Sequence, residues 1–470
     1  MYTTQQIIVK KGHRMHRYFD DMCANAKNLF NASNFYIRQV YTALRTDKSL
    51  QPLQHEVLSM IHQSIDPMNA TQRLAYQKNL AIQAKKPVDQ RKEVKFNGFE
   101  VPNKETPYLS YPFLNALFKQ IKQPDYRSLP VQSSQQVMKS VFECWKSYYS
   151  SLRDYQQHPH KYKGRPGIPK YVRKDAKEVT FTNQDCVIKD GKYLKFPKTK
   201  DQLNIGKLGA MGTLKEVIII PTYNYFVVTL VFKVNHVILG KPQTNRHMAI
   251  DLGIDNLATI VTNTGRNPAI VKGKTVKSVN QFYNKRKAHL LSILRHGKET
   301  NQGSFTTKRL QHLHETRHRK LKDLFHQASA KILNMATTEN IDTIIIGQNK
   351  GWKQEINIGK RNNQSFTSIP HSILIRMITY KAEALGMGVI VNEESYTSKA
   401  SFVDGDDVPV YPQGQRHSFS GKRLKRGLYR SKHGSLINAD VNGAANILRK
   451  AAVSVDFNME TVHVWNPVCV

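Results

Sequence analysis

Two aspartates stand where a carboxylate is costly unless it meets solvent or a cation. Asp251 ends the apolar run HMAID and is followed by Leu252 and Gly253; a lone carboxylate buried there is strongly disfavoured. Asp440 lies about 190 residues later in NADVNGAANIL. As single residues they could be a turn aspartate and a helix cap, and the turn reading suffices for nearby Asp255. The small residues Gly443, Ala444 and Ala445 add a further constraint, because they let this helix lie close against a sheet. Asp440 would then sit over the carboxyl end of the Asp251 strand. Two carboxylates held there repel unless a cation lies between them. Mg²⁺ prefers one or two carboxylates plus waters and phosphate oxygens, and a pair of such ions can clamp both oxygens of a phosphodiester displacement. The expected cofactor is Mg²⁺, with Mn²⁺ able to substitute. No Ser/His or Cys/His arrangement argues for a covalent nucleophile.

Charge points to the same class of substrate. The 470-residue chain carries 71 Lys+Arg against 35 Asp+Glu, a formal net charge of +36. Such an excess repels itself in a compact fold and fits a polyanionic partner, whose condensed counterions are released on binding. No apolar run is long enough to span a bilayer, and Met1–Lys11 lacks a signal-peptide core. A cytoplasmic, prokaryotic, nucleoid-associated protein with no membrane partner is expected. The four cysteines, Cys23, Cys144, Cys186 and Cys469, form no Cys-x-x-Cys pair, so neither a zinc ribbon nor a disulfide framework is expected.

The elements that must position these residues fall into a multidomain α+β chain. Residues 1–12 read as a first strand and 13–157 as a helical domain with three- and four-residue apolar spacing. Ser133 or Ser134 is the expected N-cap of SSQQVMKSVFECWKSYYSSLRDY, and 84–107 reads as a loop. From 158 to 245 a basic linker, HPHKYKGRPGIPKY, precedes β-branched runs that predict an antiparallel barrel or sandwich, completed by the first strand. Lys163 and Arg165 in the linker suit phosphate contact. Residues 246–450 read as three strands, long basic helices over 278–338, then strand, helix, strand and helix. This is the order of an RNase H-like α/β fold. Residues 451–470 are expected to be a tail.

AIDLGIDNLATIVTNTG, YKAEALGMGVIVNEESYTSKASF and INADVNGAANILRK resemble the RuvC motifs of the TnpB family, the RNA-guided DNA endonucleases of insertion sequences related to type V CRISPR effectors. LPVQSSQQVMKSVFECWKSYYSSL and KGRPGIPKY look like that family's junction between recognition and wedge domains. The resemblance implies a β-barrel wedge domain, a helical recognition domain inserted in it, and a RuvC nuclease domain. It implies guide RNA and target DNA as partners, a short flanking DNA motif, and a monomer or homodimer that cleaves DNA. A nuclease-inactive RNA-guided binder is the alternative, and a DNA transposase a further one.

The motifs depart from the family in two places. Gly347 stands where the middle catalytic glutamate should end the strand IDTIIIG; the nearest acids in sequence are Glu355 and Asp342. The neighbouring strand GVIVNEE ends in Glu393 and Glu394, and strand ends in such sheets converge on one crevice. Alternation puts the two glutamates on opposite faces. Glu394, farther out, is the expected third metal ligand and catalytic residue beside Asp251 and Asp440, with Glu393 and then Glu355 as alternatives. The family's zinc ribbon is also lost, with Ser401 at the first cysteine's place and Ala439 where an arginine often precedes the last aspartate. The 395–435 insert is expected to be a zinc-less basic hairpin at the target-binding position, with Phe419 and Tyr429 interleaved for base contacts. Lys308, Arg309, Arg317, Arg319 and Lys320 on the long helices, and Lys422, Arg423, Lys425, Arg426 and Arg430 on the insert, complete the expected nucleic-acid contacts.

Overall fold

The computed structural model describes residues 2–234, 244–299, 302–349, 359, 363–364, 367–410, 417–452 and 461–470. They belong to two compact units, Met1–His236 and Val237–Val470.

The first unit begins with β1 (Tyr2–Lys10), followed by α1 (His16–Ala43), α2 (Pro52–Ala84), α3 (Tyr111–Gln120), α4 (Pro124–Ser128) and α5 (Val131–Gln157). The strands β2 (Val179–Thr182), β3 (Val187–Lys189), β4 (Tyr193–Lys195), β5 (Gln202–Asn204), β6 (Thr213–Thr222) and β7 (Tyr225–Lys233) complete it. β1 pairs antiparallel with β7 along its whole length, from Tyr2↔Lys233 to Lys10↔Tyr225. The helices therefore intervene between hydrogen-bonded strands of a sheet ordered β1-β7-β6-β2. The three-residue strands β3, β4 and β5 pair only among themselves. Two open sheets thus stand where a barrel or sandwich was expected: among the described residues the end strands β1 and β2 share no ladder. Phe19 of α1 meets Phe196 at 5.3 Å between ring centroids, and Phe181 meets Phe196 at 5.4 Å. All three rings are fully buried, each contributing roughly 1.5–3 kcal/mol, so helices and sheets share one core.

Two local expectations are corrected here. α5 starts at Val131 behind Pro130, whose φ of −59° suits a helix entry. Ser133 and Ser134 consequently fall inside the first turn, and the Ser134 hydroxyl donates to the carbonyls of Tyr126 (2.7 Å) and Pro130 (3.1 Å). The basic linker is not free chain: Asn34 Nδ2 and Arg38 Nη1 donate to Pro169 O at 3.1 and 2.6 Å. Lys163 and Arg165 themselves remain exposed.

The second unit contains β8 (His247–Asp251), β9 (Asn256–Thr262), β10 (Ala269–Lys272), α6 (Lys274–Arg295), α7 (Lys308–Thr338), β11 (Thr343–Gly347), α8 (His371–Ala384) and β12 (Gly388–Asn392). After these come β13 (Lys422–Lys425), β14 (Leu428–Arg430), β15 (Leu436–Asn438), α9 (Ala439–Ala452) and β16 (Val468–Cys469). Its main sheet runs β12-β11-β8-β9-β10-β16. β8, β9 and β10 are antiparallel neighbours, whereas β11 runs parallel to β8 and β12 parallel to β11. Helices cover both faces, which is why HMAID and TIIIG are continuously apolar rather than alternating. Met248, Ile250, Ile344 and Ile346 bury against α7 and α8, while Ala249 and Ile345 bury against α9. The segment expected as a tail supplies β16, parallel to β10, and Thr461 O accepts from Gly265 N at 3.1 Å.

Candidate active site

β8 delivers Asp251 to the end of the central strand, where the chain turns sharply into β9. His371 Nε2 lies 3.0 Å from the carbonyl of Gly253 and ties that turn to the start of α8. α9 enters from the other side. Asn438 Oδ1 accepts from the backbone N–H groups of Asp440 (2.9 Å) and Val441 (3.2 Å), capping its first turn. The helix lies so close that a Cβ on Gly443 would stand 2.9 Å from Asp251 Oδ2. Any side chain at 443 would displace the Asp251 carboxyl group.

The third carboxylate comes from the chain just beyond β12. Glu394 Oε2 lies 2.7 Å from where a Cβ on Gly347 would stand, and that same Cβ would overlap Ile447 Cδ1 of α9. The Glu394 carboxylate thus occupies the space a side chain at 347 would enter. Its backbone N–H donates to Asn349 Oδ1 at 3.0 Å. Glu393 turns elsewhere, pairing with Lys450 Nζ of α9 and accepting from Ser395 N at 2.7 Å. Asp342, at the far end of β11, accepts from Thr244 N (2.5 Å) and Thr244 Oγ1 (2.9 Å) and belongs to the framework. Glu355 lies outside the described residues.

Crowding shows in the acidities. Burial, joined by the charges of Glu394 and Asp440 and opposed by Arg423, pushes Asp251 up to about 8. Burial also pushes Glu394 up to about 7, helped by the charge on Glu393 and opposed by Lys450. Groups that resist ionising together are suited to a cation, and two oxygen-donor carboxylates with water are what Mg²⁺ accepts. The donor set therefore fits that ion. Among the described residues, no group of three or more His, Cys, Asp and Glu side chains already surrounds one point.

Asp440 has other partners at present. Asn256 Nδ2 donates to its Oδ2 at 2.7 Å, and Arg423 Nη2 stands 3.4 Å from its Oδ1. Arg426, on the same hairpin, pairs with Asp255 Oδ2 at 2.5 Å, while Lys277 Nζ pairs with Asp255 Oδ1 at 2.7 Å. Burial opposes ionisation of Asp255, but these two cations outweigh it and hold the carboxyl below its usual range. Thus Asp255 anchors the β13–β14 hairpin beside the centre rather than merely filling a turn.

The other expected nucleic-acid contacts divide into two groups. Lys308, Arg309, Lys320, Lys422, Lys425 and Arg430 are exposed. Arg319 is exposed but pairs with Glu315 at 3.5 Å. Arg317 is half-buried and held within the protein: its Nε donates to Asn280 Oδ1 and its Nη2 to Ser368 O, both at 2.7 Å, and it lies 4.7 Å over the Tyr283 ring. Tyr429 is fully buried and donates to Lys399 O at 2.9 Å, so it is core of the insert and not a base contact.

The insert holds together through oxygen chemistry. Asp404 Oδ2 accepts from Ser401 Oγ (2.5 Å), Lys432 N (2.8 Å) and Ser420 Oγ (3.2 Å). Asp406 accepts from Ser420 Oγ (2.6 Å) and Ser401 N (2.7 Å), so hydroxyls and amides occupy these acids. Two fully buried asparagines of α9 dock the segment: Asn442 Nδ2 donates to Ala400 O (2.8 Å), and Asn446 Nδ2 to Thr397 O (2.9 Å). Sequence reasoning missed Asn256, Asn442, Asn446 and Lys450. The four-residue spacing of the two asparagines among alanines was the available signal.

A family model described as "Probable transposase", OrfB_IS605, matches residues 230–353, and one for the Cas12f1-like TNB domain matches 371–447. The TnpB-like protein ORF457 of the Acidianus two-tailed virus is 26% identical over 362 residues, covering 68% of this chain and 72% of that protein. These matches support a TnpB-family relative of type V effectors. Among solved structures it is similar to Cas12f1 in complex with sgRNA and target DNA, at 11% identity and a TM-score of 0.31, covering 95% of this chain and 98% of that chain. It is also similar to Alicyclobacillus acidoterrestris C2c1 with single-guide RNA, at 8% identity and a TM-score of 0.39, covering 92% of this chain and 70% of that chain. Such low scores leave the fold to be read from the sheet order above. Among the described residues, no helix is long and apolar enough to cross a membrane.

Proposed function

We propose that this chain is an RNA-guided DNA endonuclease whose catalytic centre is Asp251, Glu394 and Asp440 on an RNase H-like domain. The observation that carries the reading is the Glu394 carboxylate lying 2.7 Å from the Cβ position of Gly347, where the family's middle glutamate would start. An acid missing from one strand is replaced by one from the next. Asp251 and Glu394 bring two carboxyl groups to the sheet end that a cation would ionise together, and Asn256 orients Asp440 beside them. Bound Mg²⁺ would supply Lewis acidity and a lowered water pKa at this cluster. On this reading the first unit serves as wedge and recognition domains and reads a short flanking DNA motif. Sequence choice is left to base pairing with the guide, and the net charge of +36 holds RNA and DNA backbones.

The second reading, a guided binder that does not cut, is favoured by the Arg423–Asp440 ion pair, which keeps one carboxylate on a protein cation. Sequencing the RNA that co-purifies with the protein, then offering DNA matched to it with Mg²⁺ or Mn²⁺, separates the cases. Guide-dependent cleavage is expected. Guide-dependent binding without cleavage in either metal favours the binder, and RNA-free strand joining favours a transposase.

A further inference from the structure

One face of α6 is chemically unusual for a surface helix. Lys277, Asn280, Gln281, Asn284 and Lys285 follow one another at three- and four-residue spacing, so they share a face. That face lines a half-open cavity of about 350 Å³, which Gln364 and Ser368 also line. No acid lines it among the described residues. Carboxamides dominate, with a lysine at each end about 12 Å apart along the helix axis.

Asn280 supplies a second and independent sign. It is 3% exposed, and its Oδ1 is taken by Arg317 Nε at 2.7 Å. Its Nδ2 has no hydrogen-bond partner. A buried amide left so is destabilising, and an acceptor brought by a ligand relieves it.

We propose that this groove binds an unpaired nucleotide of RNA, with its base edge among the carboxamides and its flanking phosphates on Lys277 and Lys285. The inference rests on the guided reading for its choice of RNA. Base edges and the ribose 2′-hydroxyl both combine donor and acceptor groups, as carboxamides do, and proteins reach RNA bases mainly where they are unstacked. Lys277 also holds Asp255, which holds Arg426, so a phosphate that draws Lys277 away loosens the hairpin beside the catalytic centre.

The test is ultraviolet cross-linking of full-length, RNA-stripped protein to hexaribonucleotides of adenosine or uridine, with deoxy hexanucleotides as the comparison. Mass spectrometry then reads the tryptic peptide spanning 278–285, or 278–286 in the Lys285→Ala variant, where the next cleavage follows Arg286. A nucleotide adduct is expected there with RNA and less with DNA. It should fall about tenfold, equivalent to 1.4 kcal/mol, in Asn284→Leu and again in Lys285→Ala, an exposed position whose change leaves the fold intact. Absence of the adduct, equal yields from DNA, or yields unchanged in both variants would overturn the proposal. Guided cleavage measured on the same preparation separates the two ideas. Cleavage without the adduct overturns the groove alone, whereas an RNA adduct without cleavage or guided binding supports the groove and overturns the guided reading.

Discussion

Gly347→Ala probes the relocated carboxylate with a single methyl group. The new Cβ would stand 2.7 Å from Glu394 Oε2 and would overlap Ile447 Cδ1. Comfortable separations begin near 3.5 Å, so Glu394 must retreat by about 0.8 Å. Overpacking of this kind costs about 1–3 kcal/mol, and each kcal/mol lowers the melting temperature of a unit this size by about 2–4 °C. Misplacing a reacting group by about 1 Å costs up to about 10²-fold in rate. Single-turnover cleavage of guide-matched DNA should therefore slow by about 10–100-fold. Adding Ile447→Val removes the aliphatic overlap but not the one with Glu394, so the double variant should regain melting temperature and stay slow. A Gly347→Ala protein that melts normally and cuts at the unaltered rate would refute the packing argument. One that loses stability but not rate would remove Glu394 from the reaction.

Arg423→Ala should weaken DNA binding without changing sequence preference and make the slope of log affinity against log salt shallower by about one, measured by titration at several salt concentrations. Asp404→Asn should destabilise the second unit by about 1–3 kcal/mol in thermal melts, because Asp404 accepts from three donors, whereas zinc chelators should leave the melting temperature unchanged. His314, His318 and His326 on α7 are all depressed, first by burial and then by lysines and arginines nearby. Each therefore takes up protons more readily unfolded than folded. Their contribution to stability is complete above about pH 6.5 and is lost as pH falls below it, so melts at pH 5.5 should fall below those at pH 7.5, and a flat profile would contradict this.

The second unit's framework was legible because its strands announce themselves. HMAID and TIIIG are apolar throughout, as strands covered on both faces must be, and Gly443–Ala445 foretold close approach of α9 to β8. What stayed hidden depends on partners distant in sequence. Arg317 looked like a phosphate contact because a basic helix reads as solvated, yet Asn280 and Ser368 claim its guanidinium. Tyr429 looked like a stacking ring, but its hydroxyl bonds Lys399 O across the insert. β16 is two residues long, too short for periodicity to register. Barrel and sandwich stayed open as alternatives in the sequence because β-branched runs give strand content and not pairing; β3–β5 pair only among themselves. Around the centre, no pattern in GVIVNEE says which glutamate Lys450 will bind; that followed only from the placement of α9.

The central claim is that Glu394, and not Glu393, completes the centre with Asp251 and Asp440. Its most direct test is cleavage of guide-matched DNA by Glu394→Gln and Glu393→Gln side by side, with guide-dependent DNA binding measured on the same samples. Glutamine keeps size and hydrogen bonding but removes the charge that would hold a cation. Glu394→Gln should bind and not cut, while Glu393→Gln, which loses only its pairing with Lys450, should cut at a rate near that of the unaltered protein. Normal cutting by Glu394→Gln would contradict the account.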